Sequence, residues 1–291
     1  MSKTLNTSRA IIFAHYDKHK LVDDYVYFYL DKLQKVSNYM VFVSVVELTQ
    51  NEINKLKTIC DDVILRDNVG YDFMSYRVGL ESFDHKLYDE VVICNDSVYG
   101  PFYSLRVIFD SMQEKKCDFW GITSGDEIAY HLQSYFVVFK KKVLHSKAFQ
   151  KFWRDVEVLE SKSDIIKKYE IGLTQQLLTR GFTGLSYIDH KPNMLKTFKE
   201  RLKRLTPSKI IVKVSLLMQG KYKIQDSFTV SIMHEDWKEL VVYKKAPFIK
   251  IELLRDNPVT VQIDDYEDVI KSISDYDVAL IKQHLQRVGK R

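Results

Sequence analysis

Cysteine, proline and glycine are scarce in this chain of 291 residues, with 3, 5 and 10 copies respectively. The odd number of cysteines and the lack of a Cys-x-x-Cys pair disfavour a disulfide framework and a zinc ribbon. We interpret the cysteines as small buried side chains in a reducing compartment. So few prolines and glycines also disfavour a disordered or linker-rich chain. The composition predicts a folded protein.

Long hydrophobic runs and several familiar motifs are lacking as well. No stretch of about 18 apolar residues occurs, so the sequence predicts no membrane-spanning helix. Residues 2–9 are polar and do not resemble a secretory signal, so we expect a cytoplasmic protein. Neither G-x-G-x-x-G nor a Walker A sequence is present, which disfavours classical dinucleotide and P-loop chemistry.

The formal net charge of +5 is mild but unevenly placed. Residues 191–213 are rich in lysine and arginine. Such a cluster suits an anionic partner, and we expect a peripheral contact with the inner face of the cell membrane. The alternative is an ordinary solvated helix face. Nucleic-acid binding is disfavoured, because the chain lacks the motifs and the interleaved aromatic and basic residues of such proteins.

Apolar runs alternate with helical periodicity in the first half of the chain. The pattern predicts strands at 9–15, 39–46, 62–65 and 91–94, with helices at 21–36 and 50–60. Thr49 and Glu52 form a capping-box pattern before the second helix. This alternation indicates βαβ units and a Rossmann-type α/β layer, with a mostly parallel sheet flanked by helices.

The pattern changes in the second half. It predicts a strand at 117–123, a longer antiparallel strand within 128–143, and helices at 149–156, 165–178, 196–205 and 265–288. We therefore expect a core domain at 1–190 and an α-rich C-terminal extension at 191–291 that packs on it.

Small polar residues follow the predicted strand at 91–94. They are Asn95, Asp96 and Ser97, and the pair Gly100–Pro101 then precedes a predicted helix at 102–116. Ligands of open α/β sheets bind at the carboxyl ends of such strands, so Asp96 is a candidate nucleotide- or metal-binding carboxylate. The alternative is that these side chains only complete turn and cap hydrogen bonds.

A second polar segment follows the strand at 62–65. Gly70 permits a close backbone approach or a positive φ angle. Asp72 lies at the beginning of the next helix, where it could cap the amides or orient a sugar hydroxyl.

Seven short motifs, taken together, resemble the rhamnan synthesis protein F family of bacterial polysaccharide glycosyltransferases. They are 14–17 (AHYD), 68–73 (NVGYDF), 95–101 (NDSVYGP), 118–121 (DFWG), 131–136 (HLQSYF), 169–174 (YEIGLT) and 247–250 (PFIK). Each motif is weak alone, but they occur in the family's order.

The resemblance implies a GT-A-like fold and sugar transfer, typically of L-rhamnose from a dTDP-sugar donor. The implied acceptor is a growing cell-wall or capsular glycan on a polyprenyl diphosphate. The residues that it places at the donor are His15, Asp17, Asn68, Gly70, Asp72, Asn95, Asp96, Ser97, Trp120, His131, Gln133, Ser134, Lys250 and Arg255. Trp120 or Tyr135 would stack on the sugar or base, with core packing as the alternative.

The resemblance also raises the question of a metal cofactor. GT-A enzymes usually hold Mg²⁺ or Mn²⁺ with an Asp-x-Asp motif, whereas Asn95-Asp96-Ser97 offers one carboxylate. Asp96 could bind the metal with help from diphosphate oxygens and water. Alternatively, Lys250 or Arg255 neutralises the phosphates.

Inversion at the anomeric carbon needs a general base; Asp72, assigned to donor binding, is the second candidate, and Glu170 is the first. Its alternative is an exposed helical glutamate, while His131 is more typical of a structural histidine. A different class of function also stays open: a non-catalytic glycan-binding or assembly subunit that kept the fold without the full acidic motif.

Overall fold

A seven-stranded mixed sheet lies at the centre of the protein. The computed structural model describes residues 7–126, 128–190 and 231–289. Its strands are β1 (Arg9–His15), β2 (Tyr39–Ser44), β3 (Asp62–Leu65), β4 (Glu90–Asn95), β5 (Val98–Tyr99), β6 (Phe119–Gly121), β7 (Ser124–Gly125), β8 (His131–Leu132), β9 (Phe136–Lys140), β10 (Gly184–Ser186) and β11 (Ile249–Lys250). The central sheet has the order β10-β6-β9-β4-β1-β2-β3.

Helices cover both faces of this sheet. They are α1 (Asp24–Gln34), α2 (Gln50–Leu56), α3 (Tyr71–Glu81), α4 (Leu105–Gln113), α5 (Lys141–Leu144), α6 (Lys147–Arg154), α7 (Lys162–Ile165), α8 (Gly172–Thr179), α9 (Ile232–Glu235), α10 (Trp237–Val242), α11 (Ile251–Asp256), α12 (Tyr266–Ile273) and α13 (Ala279–Val288). A 3-10 turn at His85–Leu87 and a π-helical segment at Ile166–Ile171 complete the set.

The predicted α/β architecture with a mostly parallel sheet is confirmed. All pairings in the central sheet are parallel except those of β9, which runs antiparallel to β4 and β6 as predicted. Every residue of β1 and β4 is buried, because apolar clusters lie on both faces of the sheet. The predicted capping box at Thr49 and Glu52 is also confirmed.

The predicted helix start after Gly100–Pro101 is wrong. Val98 and Tyr99 pair instead with Lys250 and Ile249 of β11, so the chain first crosses towards the C-terminal region. Helix α4 then begins at Leu105, after Ser104 in the N-cap position.

Other predicted elements also differ in extent, three of them in ways that matter for the fold. The helix predicted at 21–36 begins only at Asp24, because the Asp17 carboxylate accepts hydrogen bonds from the His19 and Leu21 amides and so holds the preceding residues in a loop. The strand predicted within 128–143 divides into β8, β9 and α5. The closing helix predicted at 265–288 is interrupted at Ser274, whose backbone is extended.

The described C-terminal residues pack against the first part of the chain. Side chains of α9 to α13 share one apolar cluster with β1, α1 and α4. The division into 1–190 and 191–291 stays a prediction. The basic helix predicted at 196–205 and the membrane contact predicted for 191–213 lie outside the described residues. Within the described ranges, no helix combines the length and apolarity needed to cross a membrane.

Candidate active site

The candidate site lies at one edge of the central sheet. Strands β1 and β4 are parallel, so His15 and Asn95 end at the same edge. Strand β9 is antiparallel to β4 and pairs Phe136 with Cys94, so it begins at that edge, just after Ser134. This arrangement brings together polar side chains that are distant in the sequence.

Asp96 follows β4 and is enclosed by groups of the β1 and α1 region. Its Oδ2 accepts a hydrogen bond from the Tyr16 amide at 2.9 Å and lies 3.9 Å from His15 Nε2. The Tyr25 hydroxyl donates to the Asp96 carbonyl oxygen at 3.0 Å. Burial raises the pKa of Asp96 well above its usual range, and the Asp72 carboxylate raises it further. A bound cation would relieve this stress.

His15 is a neutral neighbour of this carboxylate. Burial lowers the pKa of His15 to about 4, although Asp17 opposes the shift. Its Nδ1 lies 2.9 Å from Ser44 Oγ, which fixes the ring beside Asp96. The side chain is therefore a buried neighbour of the Asp96 carboxylate that adds no charge.

Asp72 is joined to this group through Asn95. Asn95 Nδ2 donates to Asp72 Oδ2 at 2.8 Å, and Asn95 Oδ1 accepts from the Ser97 hydroxyl at 2.6 Å. Burial raises the pKa of Asp72, despite the opposing effects of Asn95 and Lys250. Asp72 reaches this position because Gly70 precedes α3 with a φ of 71°, as the sequence suggested.

The loop between β3 and α3 is fixed by Arg66. Its guanidinium donates to the carbonyl oxygens of Asp67, Val69 and Tyr71 at 2.7 to 2.8 Å. Asn68 is exposed on this loop. It lines a cavity of about 510 Å³ together with Tyr16, Asp17 and residues of the segments after β2 and β3.

Glu170 approaches from the helical side. It belongs to the π-helical segment, a type of local distortion that is frequent at functional sites. Its Oε2 accepts from the Ser134 amide at 2.8 Å and from the Ser134 hydroxyl. Its Oε1 lies 3.7 Å from His131 Nε2. Asn95 connects the two halves of the site, because its amide donates to the Tyr135 carbonyl at 3.3 Å.

Lys250 brings a positive charge from far along the chain. Pairing of β11 with β5 places it opposite Val98, and its Nζ lies 4.1 Å from the centre of the Tyr135 ring. Burial lowers the pKa of Lys250 to about 8, while the Glu170 and Glu252 carboxylates oppose the shift. Lys162 adds to the lowering, and Asp72 opposes it.

Four of the predicted donor residues, Trp120, Gln133, Arg255 and Asp17, pack against or pair with other groups of the protein. The stacking role of Trp120 is wrong, because its ring is fully buried against Phe109 and Phe136. Gln133 is buried, and its amide bonds Thr123 and Ser231.

Arg255 and Asp17 are both engaged in ion pairs. The Arg255 guanidinium is paired with Asp256 at 2.7 Å, so of the two predicted cations Lys250 is the one that acts on Asp72 and Glu170. Asp17 is buried and paired with Arg287. Its role as a donor contact stays a prediction.

Sequence reasoning missed the groups that support Asp96. The Tyr16 contact is made by a backbone amide, which has no side-chain signal. Tyr25 occurs in an amphipathic helix where every apolar position resembles core. Arg66 could have been found, because it follows β3 directly and thus obeys the same strand-end rule as Asp96.

One group of ligand-type side chains lies beside the site. Ligand atoms of Asp17, Asp23 and His284 lie within 4.8 Å of one another. Arg287 already donates to both carboxylates, so its guanidinium supplies the cation there. Asp72 and Asp96 are both half-buried, and the Asp72 carboxylate lies close enough to raise the pKa of Asp96.

Comparison with known proteins gives two relatives that are each 31% identical. "Uncharacterized protein y4gN" of Sinorhizobium fredii (strain NBRC 101917 / NGR234) matches over 55% of this chain and 43% of its own length. "Virulence protein VirA" of Vibrio anguillarum (strain ATCC 68554 / 775) matches over 68% of this chain and 64% of its own. The chain thus spans less than two thirds of either relative.

A distant structural likeness accompanies these matches. The alignment with the glycosyltransferase GlyE of Streptococcus pneumoniae TIGR4 includes 97% of this chain and 64% of the GlyE chain, at 12% identity and a TM-score of 0.44. The family model described as rhamnan synthesis protein F matches residues 40–233, which is more than half of the chain. The resemblance inferred from the seven motifs is confirmed, and the chain belongs to the rhamnan synthesis protein F family.

Proposed function

We propose that this chain is an inverting glycosyltransferase of polysaccharide synthesis. Its donor would be dTDP-L-rhamnose, and its acceptor a growing cell-wall or capsular glycan on a polyprenyl diphosphate. Family membership supports a role in rhamnan synthesis. The observation that carries the proposal is the convergence of Asp72, Asp96, Glu170 and Lys250 at one edge of the sheet.

The donor would enter from the cavity of about 510 Å³ beside Tyr16 and Asn68. This cavity would take the nucleoside, because Tyr16 lines it and the Tyr16 amide also binds the Asp96 carboxylate. The diphosphate would then extend towards Lys250, whose cationic form is suited to an anionic leaving group.

A divalent ion fits beside Asp96 and Asp72. Both are hard oxygen donors of the kind that Mg²⁺ and Mn²⁺ prefer. When bound, the ion would neutralise charge on the departing nucleotide diphosphate. Asp96 would be its principal ligand, and Asp72 would complete the set with donor oxygens. Lys250 is placed to share this neutralisation.

Glu170 is the proposed general base. Hydrogen bonds from Ser134 hold one carboxylate oxygen, and the second oxygen lies towards His131. As the acceptor hydroxyl oxygen bonds to the anomeric carbon, its proton passes to Glu170. The bond from that carbon to the phosphate oxygen breaks, and its electron pair leaves with the nucleotide diphosphate. Attack from the opposite side inverts the anomeric configuration.

The test is a transfer assay with purified protein and glycolipids extracted from bacterial membranes. The donors are dTDP-L-rhamnose, UDP-glucose and GDP-mannose, and release of nucleotide and the new anomeric signal are followed by NMR. We expect release of dTDP from the rhamnosyl donor and its loss in Asp96→Ala. A folded protein that turns over none of the donors would favour the second candidate function, a non-catalytic glycan-binding subunit. That candidate is supported by the presence of only one carboxylate after β4.

A further inference from the structure

The C-terminal helix α13 reaches back to the beginning of the chain. It lies beyond residues 40–233, the part that the family model matches. Ile281 on this helix is fully buried, and His284 Nδ1 lies 2.6 Å from the Tyr99 hydroxyl. The His284 ring also packs against the Tyr25 ring in a tilted arrangement, with the ring centroids 4.7 Å apart. The helix therefore packs against α1 and β5, where Tyr25 also hydrogen-bonds the Asp96 carbonyl oxygen.

Arg287 on this helix forms ion pairs at both ends of the loop between β1 and α1, with Asp17 and Asp23. It donates to Asp17 Oδ1 at 3.1 Å and to Asp17 Oδ2 at 2.5 Å. It also donates to both oxygens of Asp23, the residue before α1. An arginine fork fixes two carboxylates in a way that a lysine cannot. The carboxylates are largely buried, so the pairing is stronger than at an open surface.

Asp17 passes this restraint to the loop backbone. Its Oδ1 accepts from the amides of His19 at 2.7 Å and Leu21 at 3.4 Å. Lys18 adds a second tie, because its Nζ donates to the Val288 carbonyl at 3.0 Å. The same loop begins with Tyr16, whose amide holds Asp96 at 2.9 Å.

We propose that Arg287 is a positioning residue for the donor site. Through Asp17 it fixes the loop at 16–23, and so keeps the Tyr16 amide on the Asp96 carboxylate. Arg287 itself touches neither donor nor acceptor. The inference rests on the proposed function, because it assigns Asp96 to the nucleotide-sugar.

Hydrogen exchange tests the restraint without any assay of activity. In the wild-type chain we expect slow exchange of the amides at 16–21. Arg287→Gln should speed their exchange, and Arg287→Lys should restore part of the protection. Arg154→Gln is the matched control, since Arg154 pairs with Asp155 at an exposed position on α6. Unchanged exchange at 16–21 in folded Arg287→Gln overturns the restraint.

Donor affinity tests the positioning role. Loss of a group that orients a binding residue typically weakens binding or activity about 10-fold or more. We expect the dTDP Kd and the donor KM of Arg287→Gln to rise by about that factor, with the acceptor KM unchanged. A purely structural role would lower the active fraction and leave Kd and KM as they are.

A double-mutant cycle identifies the route. Asp17→Asn keeps an oxygen for the loop amides but removes the charge that Arg287 binds. If Arg287 acts through Asp17, the double variant is no worse than the single ones. Additive effects would overturn that route. If the wild-type chain binds no nucleotide diphosphate, the proposed function fails and the positioning role falls with it, whereas the exchange data still decide whether the loop is restrained.

Discussion

Glu170 offers the sharpest separation between a catalytic and a structural carboxylate. Glu170→Gln keeps an oxygen that can accept the hydrogen bonds from the Ser134 amide and hydroxyl. It removes the group that takes the acceptor proton. General base catalysis contributes about 10²- to 10⁴-fold, so we expect kcat to fall by that factor. At pH 6, well below the Lys250 pKa of about 8, Lys250 stays cationic without Glu170, and the dTDP Kd should therefore be unchanged.

The structure also gives the expected effect on stability. Glu170→Ala leaves the Ser134 amide and hydroxyl without their acceptor in a half-buried site. A fully buried donor left unpaired costs about 1–3 kcal/mol, and water can reach part of this site, so Glu170→Ala should be less stable than Glu170→Gln by about 1–3 kcal/mol in total. Both variants should be equally inactive, although only one of them is strongly destabilised.

The assay combines dTDP release in the presence of glycolipid acceptor with denaturant unfolding of each variant. Glu114→Gln is the control, because Glu114 is exposed at the end of α4. Transfer by Glu170→Gln at more than a tenth of the wild-type rate would refute the base assignment. Equal stabilities of the alanine and glutamine variants would refute the role assigned to the Ser134 hydrogen bonds.

Three further outcomes follow from the structure. Lys250 has a pKa of about 8, so it is cationic below that pH and loses its charge above it. The dTDP Kd of the wild type should therefore rise up to about tenfold per pH unit above 8, whereas that of Lys250→Met should not change with pH. Parallel pH profiles of Kd for the two proteins would contradict this prediction. A Cβ on Gly79 would lie 2.4 Å from Ile12 Cγ2. Gly79→Ala should therefore lower the free energy of unfolding, measured by urea titration, by about 1–3 kcal/mol. An unchanged urea midpoint would show that the structure relaxes without cost around the new methyl group. Trp120→Phe should lower Tm because it opens a space in the core, but it should leave the dTDP Kd unchanged. If calorimetry found weaker dTDP binding at an unaltered Tm, Trp120 would be a donor-binding residue after all.

The centre of the sheet was predictable because β1 and β4 are buried along their whole length. The run at 91–94 favours a buried strand because it is short, mostly β-branched and followed by turn residues. The strand-end rule then identified Asn95, Asp96 and Ser97 without any knowledge of the tertiary contacts. The same rule would have found Arg66, which was overlooked.

Other parts of the site depend on contacts that no local pattern carries. Lys250 reaches Asp72 only because β11 pairs with β5, some 150 residues earlier in the chain. Arg287 reaches Asp17 across 270 residues. The sequence does not distinguish an aromatic residue that lines a pocket from one that packs in the core. For this reason the stacking role predicted for Trp120 was wrong, and only the structure showed that its ring is buried.

Calorimetric titration with dTDP, UDP and GDP, each with and without Mn²⁺, tests the central claim most directly. We predict selective binding of dTDP by the wild-type chain, strengthened by Mn²⁺ and lost in Asp96→Asn. Asp268→Asn, at an exposed position on α12, should bind like the wild type. No binding of any nucleotide by the folded wild-type chain, or equal binding by Asp96→Asn, would contradict the account.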